Sequence, residues 1–113
     1  MNRVELFGRI ASDINVTEYE KSKKETGTIA KFSLAVRRDS ETADFIRCTA
    51  FGKTAELIEE YFEKGKQIGV CGRIQTGSYE NKDKETIYTT EVIVSEIDFI
   101  SDGSNKDDKK KRR

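Results

Sequence analysis

Residues 44–53 of the chain, D-F-I-R-C-T-A-F-G-K, alternate between two kinds of side chain. Successive side chains of a β-strand point to opposite faces of the sheet, so this alternation predicts a strand with two different faces. One face is small and apolar, as a core requires, and consists of Ile46, Cys48 and Ala50. The opposite face combines aromatic with polar side chains, and its members are Phe45, Arg47, Thr49 and Phe51. The chain is therefore predicted to place two phenylalanine rings on a face that its core does not use.

Phenylalanine rings on a polar face need a physical reason, and two reasons stay open at this point. The rings can stack against flat ligand rings while Arg47 holds a phosphate, which is how single-stranded nucleic acids are bound. Alternatively, both faces of the strand are covered by protein, either by other strands or by a second subunit. The order of the neighbouring strands is needed to choose between these two explanations, because it determines what can cover this face.

The charge of the chain gives no general support to nucleic-acid binding. Its 113 residues are enough for one domain with a single core. The 21 basic and 21 acidic side chains cancel, but residues 101–113 hold six Lys or Arg against three Asp. The body is thus slightly acidic and the tail basic. A nucleic-acid site must therefore depend on the local placement of cations.

The residue types that most catalytic and metal sites require are scarce. The chain has no histidine and two isolated cysteines, Cys48 and Cys71. Cys48 lies on the apolar face of its strand and is predicted to be a small buried hydrophobic residue. Glutamates on the predicted helix are interpreted as a solvated face. We therefore predict no catalytic residues, no metal site, no cofactor and no enzymatic activity.

Targeting signals are the next feature of the sequence. No signal peptide and no long apolar run is visible, which predicts a cytoplasmic protein without a membrane partner.

The period of the apolar residues predicts an all-β domain with one helix. Five strands are predicted, at residues 3–10, 30–37, 44–51, 68–75 and 87–100. A short helix is predicted after the third strand, with Thr54 as its N-cap and Gly65 at its C-terminus. The polar segments 11–27 and 78–85 are predicted to be loops. The alternation of the last strand slips near residues 92–94, which predicts a bulge.

Three strands, one short helix and two strands match the OB-fold, a five-stranded, partly open Greek-key barrel. Its binding face consists of strands 2 and 3 with the loops between strands 1 and 2 and between strands 4 and 5. The fold is predicted for residues 1–100. It is expected to place seven side chains on one surface, namely those of Lys31, Ser33, Arg37, Phe45, Arg47, Phe51 and Tyr79. Further cations predicted to contact a nucleic acid are Arg3, Arg38, Lys53 and Arg73.

Residues 101–113 contain no apolar residue and are predicted to form a disordered basic tail. Two roles stay open for it. The five cations at 109–113 can add phosphate contacts by counterion release. Alternatively, the tail only solubilises the chain, with its three aspartates offsetting the cations.

Eight short motifs, in order along residues 1–100, resemble the bacterial-type single-stranded DNA-binding protein family. They are N-R-V-x-L-x-G-R-I at 2–10, F-S-L-A-V at 32–36, A-D-F-I-R-C at 43–48, F-G-K-T-A-E at 51–56, E-K-G-K at 63–66, G-R-I-Q-T at 72–76, S-Y-E-N at 78–81 and Y-T-T-E-V at 88–92. The resemblance implies that Phe45, Phe51 and Tyr79 stack on bases and that Arg47 lies on the DNA face. It also implies a homotetramer that wraps single-stranded DNA during replication, recombination and repair.

Three features depart from the pattern of that family. The loop between strands 1 and 2 is longer and lacks the common Asp-Pro, and Gly77 stands where a basic residue is frequent. The chain shows K-D-D-K-K-K-R-R where the family usually has an acidic tip that recruits replication and repair proteins. Recruitment by that route is therefore not expected, and a phage or mobile-element homologue, or a truncated product, is a plausible identity.

Other functions remain compatible with the same fold. A primosome-type or protein-interaction subunit would use the scaffold without the aromatic face, and a nuclease would need clustered carboxylates for metal. An RNA-binding module would use the same stacking, because a ring does not sense the 2′-hydroxyl.

Overall fold

The computed structural model describes residues 1–22 and 25–99, with side chains between 21 and 26 left aside. It contains six strands and one α-helix. Their bounds are β1 Val4–Ile10, β2 Asn15–Ser22, β3 Glu25–Arg37, β4 Ala43–Phe51, α1 Gly52–Tyr61, β5 Gln67–Glu80 and β6 Thr86–Phe99. The predicted tail at 101–113 and the domain boundary at residue 100 lie outside the described residues.

The strands form one sheet whose two ends meet. The order is β1-β5-β6-β4-β3-β2, and an additional pairing joins β1 to β3, so five strands close a ring and β2 lies outside it. All pairings are antiparallel except β4 with β6, which is parallel. The five predicted strands and the short helix after the third of them are confirmed, and the arrangement matches the predicted OB-fold.

The predicted loop at residues 11–27 is wrong, because most of it is a strand pair. In β2, Val16 pairs with Ala30, Thr17 with Ile29 and Tyr19 with Gly27. This strand pair runs past the ring, where solvent covers much of its surface. Its polar composition was therefore compatible with a strand, since burial did not impose apolar alternation.

The core lies inside the ring and is closed on one side by α1. Its largest fully buried side chains belong to Ile10, Leu34, Ile58, Ile68 and Cys48. The predicted inward face of β4 is confirmed at Cys48 and Ala50, whereas Thr49 on the opposite face is also buried, with 3% of its surface exposed. Cys48 is 1% exposed. Burial, helped by the negative charge of Glu91, raises the pKa of its thiol to about 12, so it stays protonated at neutral pH.

The ends of the helix differ from the prediction. Phe51 occupies the N-cap position, and the hydroxyl of Thr54 instead donates to the backbone oxygen of Ser95 at 3.4 Å. Gly65 lies in the turn after the helix, with a φ of 98° that favours glycine. Its N–H donates to the oxygen of Ile10 at 2.8 Å, so it connects that turn to β1.

The fourth predicted strand, β5, is longer than predicted, whereas the last one, β6, differs from the prediction by one residue at its start. Residues 78–80 belong to β5 rather than to a loop, and the turn is confined to residues 81–85. The predicted bulge is present near its expected place. Cys71 pairs with Glu96 and Gly72 with Val94, so Ser95 is the extra residue. No helix in the described part of the chain is long and apolar enough to span a membrane.

Candidate nucleic-acid interface

The outward faces of β3 and β4 meet along a continuous register. Phe45 lies opposite Ala35, Arg47 opposite Ser33, and Phe51 opposite Ile29. Residues paired across two strands point to the same face of the sheet. The small partner of Phe45 leaves its ring open to approach.

Three predicted aromatic residues are exposed in spite of their apolar surface. The exposed fraction is 63% for Phe45, 42% for Phe51 and 58% for Tyr79. Phe45 and Phe51 lie on β4, whereas Tyr79 pairs with Ile87 in the β5–β6 hairpin. Burying such rings releases roughly 25 cal/mol for each Å² of apolar surface, so a ligand with flat apolar faces gains from covering them.

A fourth aromatic residue, Tyr19, was missed by the sequence analysis. Its ring meets that of Phe51 edge to face, with centroids 6.1 Å apart and planes at 89°. A Cβ atom at Gly27 would lie 2.5 Å from Cζ of Tyr19, so the absent side chain makes room for the ring. The signal was present in β2, where Tyr19 and Thr17 share a face, but it needed the register with Gly27.

Four of the predicted cations lie on the same side of the sheet as the rings. Lys31, Arg37 and Arg47 are exposed on β3 and β4. Arg73 lies opposite Ile93, which lies opposite Thr49, which lies opposite Lys31, so one cross-strand row joins Arg73 to Lys31. Positive side chains therefore flank the aromatic residues on both sides of β4.

The remaining predicted cations are placed differently. Lys53 lies on α1, and Arg3 precedes β1 and forms an ion pair with Glu5 at 2.7 Å. Arg38 follows β3 and pairs with the carboxylate of Asp44, with its Nε 3.2 Å from Oδ1. That pair lowers the pKa of the Asp44 carboxyl. Arg3 and Arg38 thus have acidic partners, and Lys53 lies at the start of α1, two residues after the end of β4.

Between the cations lies a depression of about 280 Å³ whose floor is polar. The hydroxyl of Thr49 donates to Oε1 of Glu91 at 2.6 Å, which ties β4 to β6. Lys31 and Arg47 line the same depression. Glu91 was not predicted to belong to the site, because its position depends on the parallel pairing of two strands that are distant in sequence.

Comparison with known proteins supports the family resemblance noted in the sequence. A single-stranded DNA-binding protein of Clostridium perfringens is 45% identical over 106 residues, which cover 92% of this chain and 69% of the relative. Single-stranded DNA-binding protein 3 of Clostridium acetobutylicum is 42% identical over 111 residues, or 93% and 74% of the two chains.

A relative with lower identity comes from Staphylococcus aureus. Single-stranded DNA-binding protein 1 of Staphylococcus aureus is 36% identical over 113 residues, which cover 95% of this chain and 70% of the relative. These relatives are named as DNA-binding proteins and not as enzymes. The model of the single-strand binding protein family matches residues 1–100, and the chain belongs to that family.

Proposed function

We propose that this protein binds single-stranded DNA without regard to its sequence and protects it during replication, recombination and repair. The observation that supports this best is the outward face of β4, where two exposed phenylalanines flank Arg47. Family membership and the names of the relatives support the same function. The proposed location is the cytoplasm, where bacterial DNA lies.

The proposed mechanism separates stacking from charge. Bases stack on Phe45, Phe51 and Tyr79, each stacked base contributing about 1–3 kcal/mol, a magnitude taken from single-stranded-DNA-binding proteins as a class. Phosphates follow the positive side chains beside the rings. The cations proposed for this role are Lys31, Arg37, Arg47 and Arg73 on the sheet, together with Lys53 at the start of α1 and with Arg3 and Arg38, which are paired with acids.

Titrations with labelled oligonucleotides of one length test this function. We expect tight binding of oligo-dT, much weaker binding of a duplex, and no cleavage of the single strand in the presence of magnesium. Duplex bases are already stacked on one another, so they offer no free faces to the rings. Equal affinity for duplex and single strand would contradict the proposal. Preferential binding of RNA would favour the RNA-binding alternative. The absence of any nucleic-acid binding would favour the protein-interaction alternative.

We also propose that the protein is a homotetramer. The outward face of β1 carries Phe7, which is 51% exposed, beside Glu5 and Arg9. A strand face of mixed rings and charges suits contact with another copy better than contact with water alone. Replication and repair proteins are further proposed partners, because they act on the strands that this protein would cover.

The assembly has a direct test in the mass of the particle. We expect light scattering at micromolar concentration to give about four times the 12.9 kDa of the chain. A monomeric mass would contradict the tetramer and would leave the exposed ring of Phe7 without a role in assembly.

A further inference from the structure

The face proposed to bind DNA continues onto the β2–β3 hairpin, beyond the end of β4. Phe51 pairs with Ile29 where the pairing of β3 with β4 ends, and Tyr19 pairs with Gly27 two residues further along β3. Residues two apart in a strand point to the same face, as do residues paired across two strands. Tyr19 therefore lies on the same face as Phe51, although β2 is outside the ring of strands.

Two contacts hold the ring of Tyr19 in place. It meets the ring of Phe51 edge to face, with centroids 6.1 Å apart, which is a favourable arrangement for two aromatic rings. A Cβ atom at Gly27 would lie 2.5 Å from Cζ and 2.7 Å from the hydroxyl oxygen of Tyr19, so the outer end of the ring fills the space that a side chain there would need. The ring is still partly exposed. A ring that is held in place and keeps accessible surface is suited to base stacking.

The charges of the hairpin also allow a nucleic acid to reach this ring. Alternation along β2 places Glu18 and Glu20 on the face opposite to Tyr19. Lys31 pairs with Asn15, which shares the face of Tyr19, so a cation lies on that face of the hairpin. Phosphates can therefore pass beside the ring without meeting the two carboxylates of β2.

We propose that Tyr19 is a further base-stacking residue, which extends the aromatic face from Phe51 onto the β2–β3 hairpin. The inference rests on the proposed function. The planes of the two rings stand at 89° to each other, so one base cannot lie flat on both and each ring receives its own base. Every base has a flat face, so this contact adds affinity without a preference for sequence.

A pair of substitutions tests whether the ring contributes to affinity. Tyr19→Ala removes the ring and is expected to weaken the binding of oligo-dT by about fivefold or more. Tyr19→Phe keeps the ring and is expected to stay within about twofold of the unaltered protein, because stacking does not need the hydroxyl. Unchanged affinity in Tyr19→Ala would overturn the proposal.

Removal of the ring also removes support from Phe51, so a second measurement must report contact with Tyr19 itself. The chain has four tyrosines and no tryptophan, so tyrosine dominates its intrinsic fluorescence. A variant with Tyr61→Phe, Tyr79→Phe and Tyr88→Phe emits from Tyr19 alone. Stacking against a base quenches tyrosine emission. We therefore expect a saturating amount of short oligo-dT to remove most of the emission of this variant.

The matched control keeps Tyr61 as its single tyrosine and carries Tyr19→Phe, Tyr79→Phe and Tyr88→Phe. Tyr61 also contacts another ring edge to face, that of Phe99, with centroids 5.4 Å apart, but it lies on α1 rather than on the sheet. It is 51% exposed, so a ligand that bound there would reach it. We expect its emission to persist once the light absorbed by the DNA, which is the same for both variants, is corrected for.

The outcomes separate this residue from the function on which it rests. If the variant that keeps Tyr19 binds oligo-dT without a change in emission, the stacking role is overturned and Tyr19 only supports Phe51. Equal quenching of Tyr61 would also overturn it, because the emission would then not report contact at this face. Failure of the unaltered protein to bind oligo-dT would overturn the proposed function itself.

Discussion

Phe45→Ala is expected to weaken the binding of oligo-dT by about 1–3 kcal/mol while the protein keeps its fold. The ring is 63% exposed and lies opposite Ala35, so its removal leaves no cavity in the core. What is lost is the stacking surface for one base. Fluorescence titration measures the affinity, and urea denaturation of the same sample measures the stability.

Alanine variants of the other aromatic residues are expected to lose different amounts of oligo-dT affinity. Phe51→Ala is expected to cost a similar amount of binding, with some loss of stability because Phe51 also contacts Tyr19. Tyr79→Ala is expected to cost less. Tyr88→Ala is the matched control, since Tyr88 is 79% exposed but follows Ile87 and so points to the opposite side of the hairpin from Tyr79.

The two explanations for rings on a polar face give different results. Unchanged affinity in both Phe45→Ala and Phe51→Ala would mean that the rings pack against protein, as in a subunit interface. A loss of affinity that Tyr88→Ala shares equally would point to a general effect of removing exposed aromatic surface rather than to stacking at this face.

Burial explains which parts of the fold could be predicted from the sequence. In β1, β3 and β4 one face packs into the core, and the alternation that places Ile10, Leu34 and Cys48 inside is therefore visible in the sequence. The need to pack one face into the core is absent in β2, which lies outside the ring, and in the second half of β5, where residues 73–80 are exposed. Tyr19 pairs with Gly27 and Tyr79 with Ile87, but the sequence around these two tyrosines shows little apolar alternation. Both segments were therefore predicted to be loops.

The candidate site also has a part that the sequence predicts and a part that it does not. Phe45, Arg47 and Phe51 lie on one strand, and the period of two was enough to predict that they share a face. The contact of Thr49 with Glu91 joins residues 42 positions apart through a parallel pairing, which no local pattern encodes. The pairing of Arg38 with Asp44 likewise depends on the path of the turn between β3 and β4.

Gly72→Ala is expected to destabilise the protein strongly. A Cβ atom at Gly72 would lie 1.9 Å from the backbone oxygen of Ile93 and 2.8 Å from its carbonyl carbon. Backbone atoms of a paired strand cannot rotate aside as a side chain can. The two strands must separate next to the bulge at Ser95, and we expect unfolding to become easier by about 3 kcal/mol or more.

Gly77→Ala is the matched control, because it makes the same chemical change in the same strand. A Cβ atom there would meet the hydroxyl of Thr89 at 3.3 Å, and that side chain can turn away. Both substitutions restrict the unfolded chain equally, so this contribution cancels in the comparison. We expect the urea midpoint of Gly77→Ala to stay close to that of the unaltered protein, with a change in stability below about 0.5 kcal/mol. Equal midpoints for the two variants would show that β6 can move away from Gly72 at little cost, and the close approach of the two strands would then not be what requires glycine there.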